Sequence, residues 1–197
     1  MNMNESNNHM TILIINSEPS GVEFVEPIIK ILTDTGIKFE VIEYTNIPKN
    51  LDSYAGIIIS GSPMGDDIVY KHLPYYQWIR DSFKPILGIC HGHQLIGAIY
   101  GADLIREKQS EEGEHVINIE EPDPFFSGYE GSVKVKQQHK NSISLPDEFK
   151  LLASSIRCRV QAMVHQLKPI YTVQFHAENN PEMILNFIEI VRQAVTE

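Results

Sequence analysis

Apolar residues fall in short continuous runs along the first half of the chain, and most of these runs are followed by a stretch with helical spacing. A continuous apolar run is typical of a strand that is buried on both faces of a sheet. The predicted strands are residues 11–16, 39–44, 55–60 and 85–89. The predicted helices are residues 22–35, which stop at Gly36, and residues 73–83 and 91–100. Strands and helices that alternate in this way predict an α/β fold.

The second half of the chain has a different pattern, in which strand candidates follow one another with little helix between them. They are residues 116–119, 132–136, 151–153, 161–164 and 170–174, and an amphipathic helix over residues 181–194 closes the chain. Strands joined by short connections pair antiparallel. We therefore predict an α/β domain with a doubly wound, mostly parallel sheet flanked by helices, and with a small antiparallel insertion.

The composition of the chain serves mainly to exclude some classes of function. The 197 residues carry a formal net charge of -10, and 42% of them are hydrophobic and 21% charged. Binding to nucleic-acid phosphates needs clustered Lys and Arg, so we expect no nucleic-acid-binding surface. No apolar run approaches the length of a membrane span. Residues 1–10 are polar and rich in Asn, and we predict a disordered lead-in there, followed by a single domain over residues 11–197.

The two cysteines, Cys90 and Cys158, are too few for a disulfide framework in a chain of this length. The sequence also has no Cys-x-x-Cys spacing of the kind that holds a metal. We therefore expect a cytoplasmic protein that uses no metal and no cofactor, with Cys158 in a structural position.

Cys90 lies between a predicted buried strand and a predicted helix, in the pattern Gly88-x-Cys90-x-Gly92. This spacing is the cysteine version of a nucleophile elbow, where a sharp turn holds the nucleophile in a strained conformation. The N-terminus of the helix favours a thiolate, and the N–H of His91 can donate to an oxyanion. A buried core cysteine is the alternative, although the elbow pattern makes it the weaker one.

A second strand, residues 170–174, also ends close to residues suited to catalysis, His176 and Glu178. In an extended stretch, residues two apart project to the same side. Glu178 can then hold the imidazole of His176 in the tautomer that receives a thiol proton, as in a catalytic triad. In open α/β sheets, sites form at the carboxyl ends of the strands, which is where both segments lie.

Three segments together resemble a known family. GICHGHQ over residues 88–94 resembles the G-I-C-x-G-x-Q signature of class I, or triad, glutamine amidotransferases. VQFHAE over residues 173–178 resembles the family's V-Q-F-H-P-E, and SGSP over residues 60–63 resembles its S-G-G-P oxyanion strand. The resemblance runs from about residue 11 to about residue 194. Residues 145–170 are most similar to the stand-alone glutaminase subunit of archaeal-type GMP synthases.

This resemblance implies a flavodoxin-like fold and a glutaminase that uses Cys90, His176 and Glu178 to release ammonia from glutamine through a cysteine thioester. It implies an oxyanion hole formed by the backbone N–H groups of Ser62 and His91. Further residues are implied to bind glutamine: Gly61, Gln94, Gln138 and Lys140, with His139 in the same loop. For the three loop residues 138–140, a solvated turn is an equally good interpretation.

The sequence departs from the family pattern at several positions around these motifs. Ser62 replaces a glycine, and we expect strain there if the position needs a positive φ. Ala177 replaces the proline of the family motif, and Asn141 replaces an aspartate that is common in GMP synthase glutaminases. These changes leave the identity of the partner open.

Three functions therefore remain open. The first is a glutaminase that supplies ammonia to a separate ATP-dependent synthase, such as GMP synthase. The second is a free-standing hydrolase of γ-glutamyl amides or peptides, which the Ser-Pro sequence after Gly61 slightly favours. The third is a non-catalytic interaction module on the same fold.

Overall fold

The computed structural model describes residues 10–18, 21–63, 68–106 and 110–196. Most of the predicted lead-in, residues 1–9, therefore lies outside the described residues. Its last residue, Met10, is buried and packs into the hydrophobic core ahead of the first strand. None of the described helices combines the length and the apolar character that crossing a bilayer requires.

The described strands follow the predicted order, with two short additions. They are β1 (Thr11–Asn16), β2 (Lys38–Glu43), β3 (Gly56–Ile59), β4 (Ile86–Ile89), β5 (Leu104–Ile105), β6 (Glu111–Ile119), β7 (Ser132–His139), β8 (Ser142–Ile143), β9 (Phe149–Ser154), β10 (Ala162–His165) and β11 (Ile170–Val173). The described α-helices are α1 (Glu26–Asp34), α2 (Ile68–Tyr76), α3 (His91–Ile99) and α4 (Pro181–Thr196). The additions are β5 and β8, whose two residues each give no periodic signal in the sequence.

Nine of these strands form one sheet in the order β2-β1-β3-β4-β11-β10-β9-β6-β7. The half from β2 to β11 is parallel, and from β11 to β7 each neighbouring pair is antiparallel. The predicted α/β class with its antiparallel part is confirmed. The antiparallel strands extend the edge of the parallel half, and β5 and β8 form a separate two-stranded sheet.

Hydrophobic residues of β1 are buried on both faces of the sheet, as its continuous apolar run predicts. Ile12 and Ile14 join one core cluster together with apolar residues of α1 and α4. Leu13 and Ile15 join a second cluster with residues of α2 and α3. Each fully buried side chain of this size contributes about 1.5–3 kcal/mol of transfer free energy. Burial on both faces therefore fixes β1 inside the parallel half and places helices on both sides.

Two predicted helices have different limits in the structure, and each of them contains a proline. The helix predicted over residues 22–35 begins at Glu26, and Pro27 occupies its first turn, where a missing N–H costs nothing. The helix predicted over residues 73–83 begins at Ile68 and contains Pro74. Proline cannot donate to the preceding turn, and the α-helix ends at Tyr76, after which residues Gln77–Asp81 form a 3₁₀ turn.

Helix α3 lies very close to the parallel sheet, and Gly92 makes this approach possible. A Cβ atom at Gly92 would lie 2.7 Å from the backbone oxygen of Ile59 in β3. Gly97, one turn and a half further along α3, would instead place a Cβ against the terminal methyl of Ile143, a flexible side-chain atom. A side chain added at Gly92 would therefore contact backbone, whereas one added at Gly97 would contact a methyl group that can move.

We predict that Gly92→Ala lowers the free energy of unfolding by about 1–3 kcal/mol, because α3 must move away from β3. Gly97→Ala is the matched control, since Ile143 can change rotamer and alanine favours helix by up to about 1 kcal/mol. Urea denaturation followed by circular dichroism measures both. Equal stability of the two variants would contradict the proposed backbone contact.

Candidate active site

Cys90 occupies the turn between β4 and α3 in a strained backbone conformation. Its φ is 50° and its ψ is -98°, and it is the single non-glycine residue with positive φ in the described part of the chain. Such a conformation costs about 1–3 kcal/mol for a residue with a Cβ. The Cys90 N–H donates to the carbonyl of Val173 at 2.8 Å, which ties the turn to the end of β11. The sharp turn expected from the Gly-x-Cys-x-Gly pattern is present.

Gly88 provides the space in which the turn can close. A Cβ atom at Gly88 would lie 2.7 Å from the backbone oxygen of Gly92 and 2.7 Å from the Cδ1 of Ile96. Because the first of these contacts is with backbone, a side chain at position 88 would push α3 away from β4. Both glycines that flank Cys90 in the sequence therefore permit close backbone approach.

Cys90 lies at a cavity of about 440 Å³ that contains most of the predicted site residues. The lining residues named in the sequence analysis are Ser62, Cys90, His91, Gln94, Gln138, His139 and Lys140. The other lining residues are Pro63, which belongs to the SGSP segment, and four residues that the sequence analysis did not identify: Phe24, Ser110, Glu111 and Glu112. Gly61, His176 and Glu178 are not in the lining. A cavity of this size, with polar groups converging on a cysteine, has the character of a small-molecule site.

His176 and Glu178 lie together and are almost completely buried, with 2% and 4% of their surface exposed. The Nδ1–H of His176 donates to the Oε1 of Glu178 at 2.7 Å. The contact agrees with the prediction, but the conformation that produces it does not. Residues Ala177–Asn179 form a 3₁₀ turn, and this turn brings the Glu178 side chain back to His176. From the sequence, we expected an extended stretch to do so.

The charge state of His176 is set by Glu178 and by the sulfur of Cys90. Burial opposes a charged imidazole, but the interactions with Cys90 and Glu178 outweigh it and raise the pKa of His176 to about 10. The Nε2 of His176 is buried and makes no hydrogen bond with the described residues. With Nδ1 held by Glu178, Nε2 is the ring atom available for a proton from the thiol.

Phe24 and Gly61 enclose the imidazole of His176. The Phe24 ring stacks on it with centroids 5.2 Å apart. A Cβ atom at Gly61 would lie 3.3 Å from the Cε1 of His176 and 3.1 Å from the Phe24 ring. Gly61 therefore packs against the base, which accounts for its position outside the cavity lining.

The two predicted oxyanion donors, Ser62 and His91, both line the cavity beside Cys90. Ser62 does not have a positive φ, so the condition under which we expected strain at this position is not met. The side chain of His91 points to α2, where its Nε2 lies 2.9 Å from the Nδ1 of His72. Burial and the neighbouring His72 lower the pKa of His91 to about 3, so this side chain stays neutral at physiological pH.

Gln94 is held by two hydrogen bonds in the interior. Its Nε2 donates to the Asn141 carbonyl at 3.2 Å and to the Oε1 of Gln174 at 3.1 Å. Gln174, which directly follows β11, in turn places its own Nε2 3.7 Å from the Sγ of Cys90. The carbonyl of Gln138 lies 3.9 Å from the same sulfur. Gln174 was missed because its side chain reaches the sulfur from a neighbouring strand.

The loop residue His139 belongs to a buried network, so a solvated turn is the wrong interpretation for it. Its Nδ1 lies 2.8 Å from the Asn141 carbonyl and its Nε2 lies 3.1 Å from the Oε2 of Glu111. Gln161 donates to the same Glu111 oxygen at 2.8 Å. Although burial raises the pKa of Glu111, its interactions with His139, His115 and Gln161 are stronger and lower it. In contrast, the neighbouring side chains of Gln138 and Lys140 are exposed.

Glu111, His139 and Cys158 are the described residues whose ligand atoms come close enough together to hold a metal, within 4.8 Å of one another. Glu111 is already hydrogen-bonded to His139 and Gln161, and the Sγ of Cys158 donates to the Val160 carbonyl at 3.5 Å. Burial and the nearby Glu111 raise the pKa of Cys158 to about 12, which keeps it a thiol, whereas metals bind the thiolate. The cluster is complete as a hydrogen-bond network.

Comparison with known proteins places this geometry in a family. The family model described as "Glutamine amidotransferase class-I" matches residues 18–187. A protein of Thermoplasma volcanium, named as a subunit of glutamine-hydrolyzing GMP synthase, is 33% identical over 171 residues, which are 83% of this chain and 85% of that protein. The protein of the same name in Pyrococcus furiosus is 34% identical over 181 residues, 87% of this chain and 95% of that protein.

Solved structures give the same result. A crystal structure of a putative GMP synthase subunit from Thermoplasma acidophilum has a TM-score of 0.87 at 28% identity, and covers 96% of this chain and 98% of that one. A glutamine amidotransferase from Thermotoga maritima, at 23% identity and a TM-score of 0.76, shares the fold. The chain is therefore a glutamine-hydrolysing enzyme that belongs to the class I glutamine amidotransferase family.

Proposed function

We propose that this chain hydrolyses glutamine to glutamate and ammonia with Cys90 as nucleophile, and that the ammonia is used by a separate synthase subunit. The observation that carries the proposal is the position of Cys90. It is strained, lies at a cavity, and interacts with a buried His176–Glu178 pair strongly enough to raise the pKa of the imidazole to about 10. A core cysteine needs none of these features.

In the first half of the proposed reaction, the sulfur of Cys90 attacks the carboxamide carbon of glutamine. The proton of the thiol already lies on Nε2 of His176, because the pKa of the imidazole is about 10, so the sulfur attacks as a thiolate. The carbonyl oxygen takes up the negative charge beside the N–H groups of Ser62 and His91. Collapse of this intermediate breaks the C–N bond. His176 gives its proton to the leaving nitrogen, which departs as ammonia and leaves a γ-glutamyl thioester.

In the second half, water attacks the thioester and gives up a proton to His176. The sulfur leaves as glutamate forms. Gln94, Gln138 and Lys140 line the cavity in positions from which they would hold the substrate, and Gly61 supports the base. Glu178 keeps the His176 tautomer fixed in both halves through its bond to Nδ1.

We predict that Cys90→Ala abolishes glutamine hydrolysis and labelling by 6-diazo-5-oxonorleucine, while the circular dichroism spectrum stays unchanged. Cys158→Ala is the matched control and should be labelled like the wild type, because burial keeps the Cys158 thiol protonated. Mass spectrometry of the labelled peptide locates the adduct. Equal activity of Cys90→Ala and wild type would refute the mechanism.

The raised pKa of His176 predicts the alkaline limit of the reaction. The imidazole is protonated below about pH 10 and loses its proton as the pH rises through that value. Because 6-diazo-5-oxonorleucine must take up a proton before its nitrogen leaves, its reaction with Cys90 should decline above that pH. Glu178→Gln removes one of the two interactions that raise this pKa. We predict that its alkaline limb moves to lower pH and that its rate at neutral pH falls by about 10²-fold.

The measurement is the second-order rate constant for labelling of Cys90 by 6-diazo-5-oxonorleucine as a function of pH. Glu182→Gln serves as the control, since Glu182 is an exposed residue in the first turn of α4 and should leave the profile unchanged. An alkaline limb that stays in place in Glu178→Gln would count against the orienting role of Glu178.

We infer a partner because the relatives named as subunits of glutamine-hydrolyzing GMP synthase match nearly this whole chain. A protein named as one subunit implies another that carries the synthase chemistry, and the sequence here has no Walker-type phosphate loop. We propose that the partner is an ATP-dependent synthase subunit that accepts the ammonia, in a cytoplasmic purine-biosynthetic reaction such as GMP synthesis.

We predict that glutamine hydrolysis rises by about tenfold or more when the chain is co-purified with an ATP-pyrophosphatase subunit from the same genome, a typical size for coupling between two sites. Release of glutamate, with and without that partner, measures it. A γ-glutamyl dipeptide should be turned over more slowly than glutamine. Faster, partner-independent turnover of the dipeptide would instead support a free-standing γ-glutamyl hydrolase, and a wild type that is never labelled would support a non-catalytic module.

A further inference from the structure

The side chain of Gln174 is a buried amide that contacts the sulfur of Cys90 and has no role in the triad. Gln174 is 0% exposed. Its backbone is fixed from both sides, because the preceding carbonyl, that of Val173, accepts from the Cys90 N–H and its own N–H donates to the Gln161 carbonyl at 2.8 Å. The position of the amide next to the sulfur is therefore built into the sheet.

The orientation of the Gln174 amide follows from its neighbours. Gln94 must point its NH₂ group at the Asn141 carbonyl, because a carbonyl can only accept a hydrogen bond. The same NH₂ group faces Gln174, which must therefore present its oxygen to Gln94 at 3.1 Å. This leaves the Nε2 of Gln174 directed at the sulfur, 3.7 Å away. The reverse orientation would place a donor against a donor.

Besides the imidazole of His176, which interacts with the sulfur of Cys90, two uncharged groups contact this sulfur and favour opposite charge states. The carbonyl of Gln138, at 3.9 Å, can accept from the thiol but repels a thiolate. The Nε2 of Gln174 donates, and a hydrogen bond to a charged acceptor is roughly twice as strong as one to a neutral acceptor. Cys90 is only 6% exposed, so few water molecules can reach its sulfur to stabilise the thiolate.

We propose that Gln174 is a catalytic residue whose side-chain amide donates to the Cys90 thiolate, offsetting the Gln138 carbonyl, and at the same time fixes Gln94. The inference rests on the proposed role of Cys90 as nucleophile. It adds to the triad a neutral donor that stabilises the reactive sulfur before glutamine binds. It also explains why a glutamine occupies a fully buried position beside an apolar strand.

The test is the pH dependence of alkylation of Cys90 by iodoacetamide, which does not need the glutamine site. Gln174→Met keeps the length of the side chain and removes the donor, and Gln174→Glu replaces the amide with a carboxyl group. We expect the midpoint of the profile to move to higher pH in Gln174→Met and further in Gln174→Glu, and the rate at neutral pH to fall by about tenfold in Gln174→Met.

Gln137→Met is the matched control. Gln137 is also fully buried and donates to Gln161 at 2.9 Å, so the variant loses a buried hydrogen bond in which the sulfur takes no part. It should lose stability without moving the midpoint. Loss of structure alone would affect Gln174→Met and Gln174→Glu alike. It would not shift the midpoint further in Gln174→Glu, where a carboxyl group faces the sulfur, than in Gln174→Met.

Each outcome of this test is decisive. The proposal is supported if the midpoint of the alkylation profile lies at the lowest pH in the wild type, at a higher pH in Gln174→Met and at the highest pH in Gln174→Glu. If Gln174→Met does not fold, the midpoint measured in Gln174→Glu or in Gln174→Asn takes its place as the test. In Gln174→Asn the shorter side chain no longer brings the amide donor to the sulfur. Identical midpoints in wild type and folded Gln174 variants, with Cys90 alkylated in all, overturn the inference and leave the triad untouched. Failure to alkylate Cys90 in the wild type would instead contradict the proposed function itself.

Discussion

The site depends on one backbone hydrogen bond, from the N–H of Cys90 to the carbonyl of Val173. It extends the pairing of β4 with β11 by one step, to the point where β4 turns into α3. Cys90 therefore keeps a positive φ that would relax in a free chain. The strand that holds the turn is the one that leads to Gln174 and His176. Nucleophile and base thus come into register because neighbouring parallel strands end side by side.

The same arrangement explains how charge is tolerated in the interior. A buried thiolate and a buried carboxylate are both costly unless a cation or a donor faces them. The imidazolium of His176 lies between Cys90 and Glu178, and together they raise its pKa to about 10 in spite of burial. The amide of Gln174 adds a donor that carries no charge of its own. It can therefore stabilise the thiolate without disturbing the proton of His176.

The parts of the site that the sequence predicted are those encoded by a local pattern. Gly88, Cys90 and Gly92 lie within one strand-turn-helix segment, so their spacing alone predicts the turn. His176 and Glu178 are two residues apart, and their contact was predictable although the 3₁₀ turn that makes it was not. The contacts of Gln174 and His139 join different strands. Such contacts depend on sheet order and register, which a single sequence does not specify.

The parallel and antiparallel halves of the sheet consequently contribute different things to the pocket. Cys90 and His176 follow strands of the parallel half, whereas Glu111 and His139 are paired at the start of β6 and the end of β7. Along β7 and at the residue that follows it the side chains alternate, so that His139 is buried while Gln138 and Lys140 are exposed. If the register between β6 and β7 shifted by one residue, the buried and exposed side chains of β7 would change places. The part of the cavity lining formed by Glu111 and His139 would then be lost, although the sulfur of Cys90 would not move. The antiparallel half can therefore change substrate fit or partner contacts while the reacting groups stay in place.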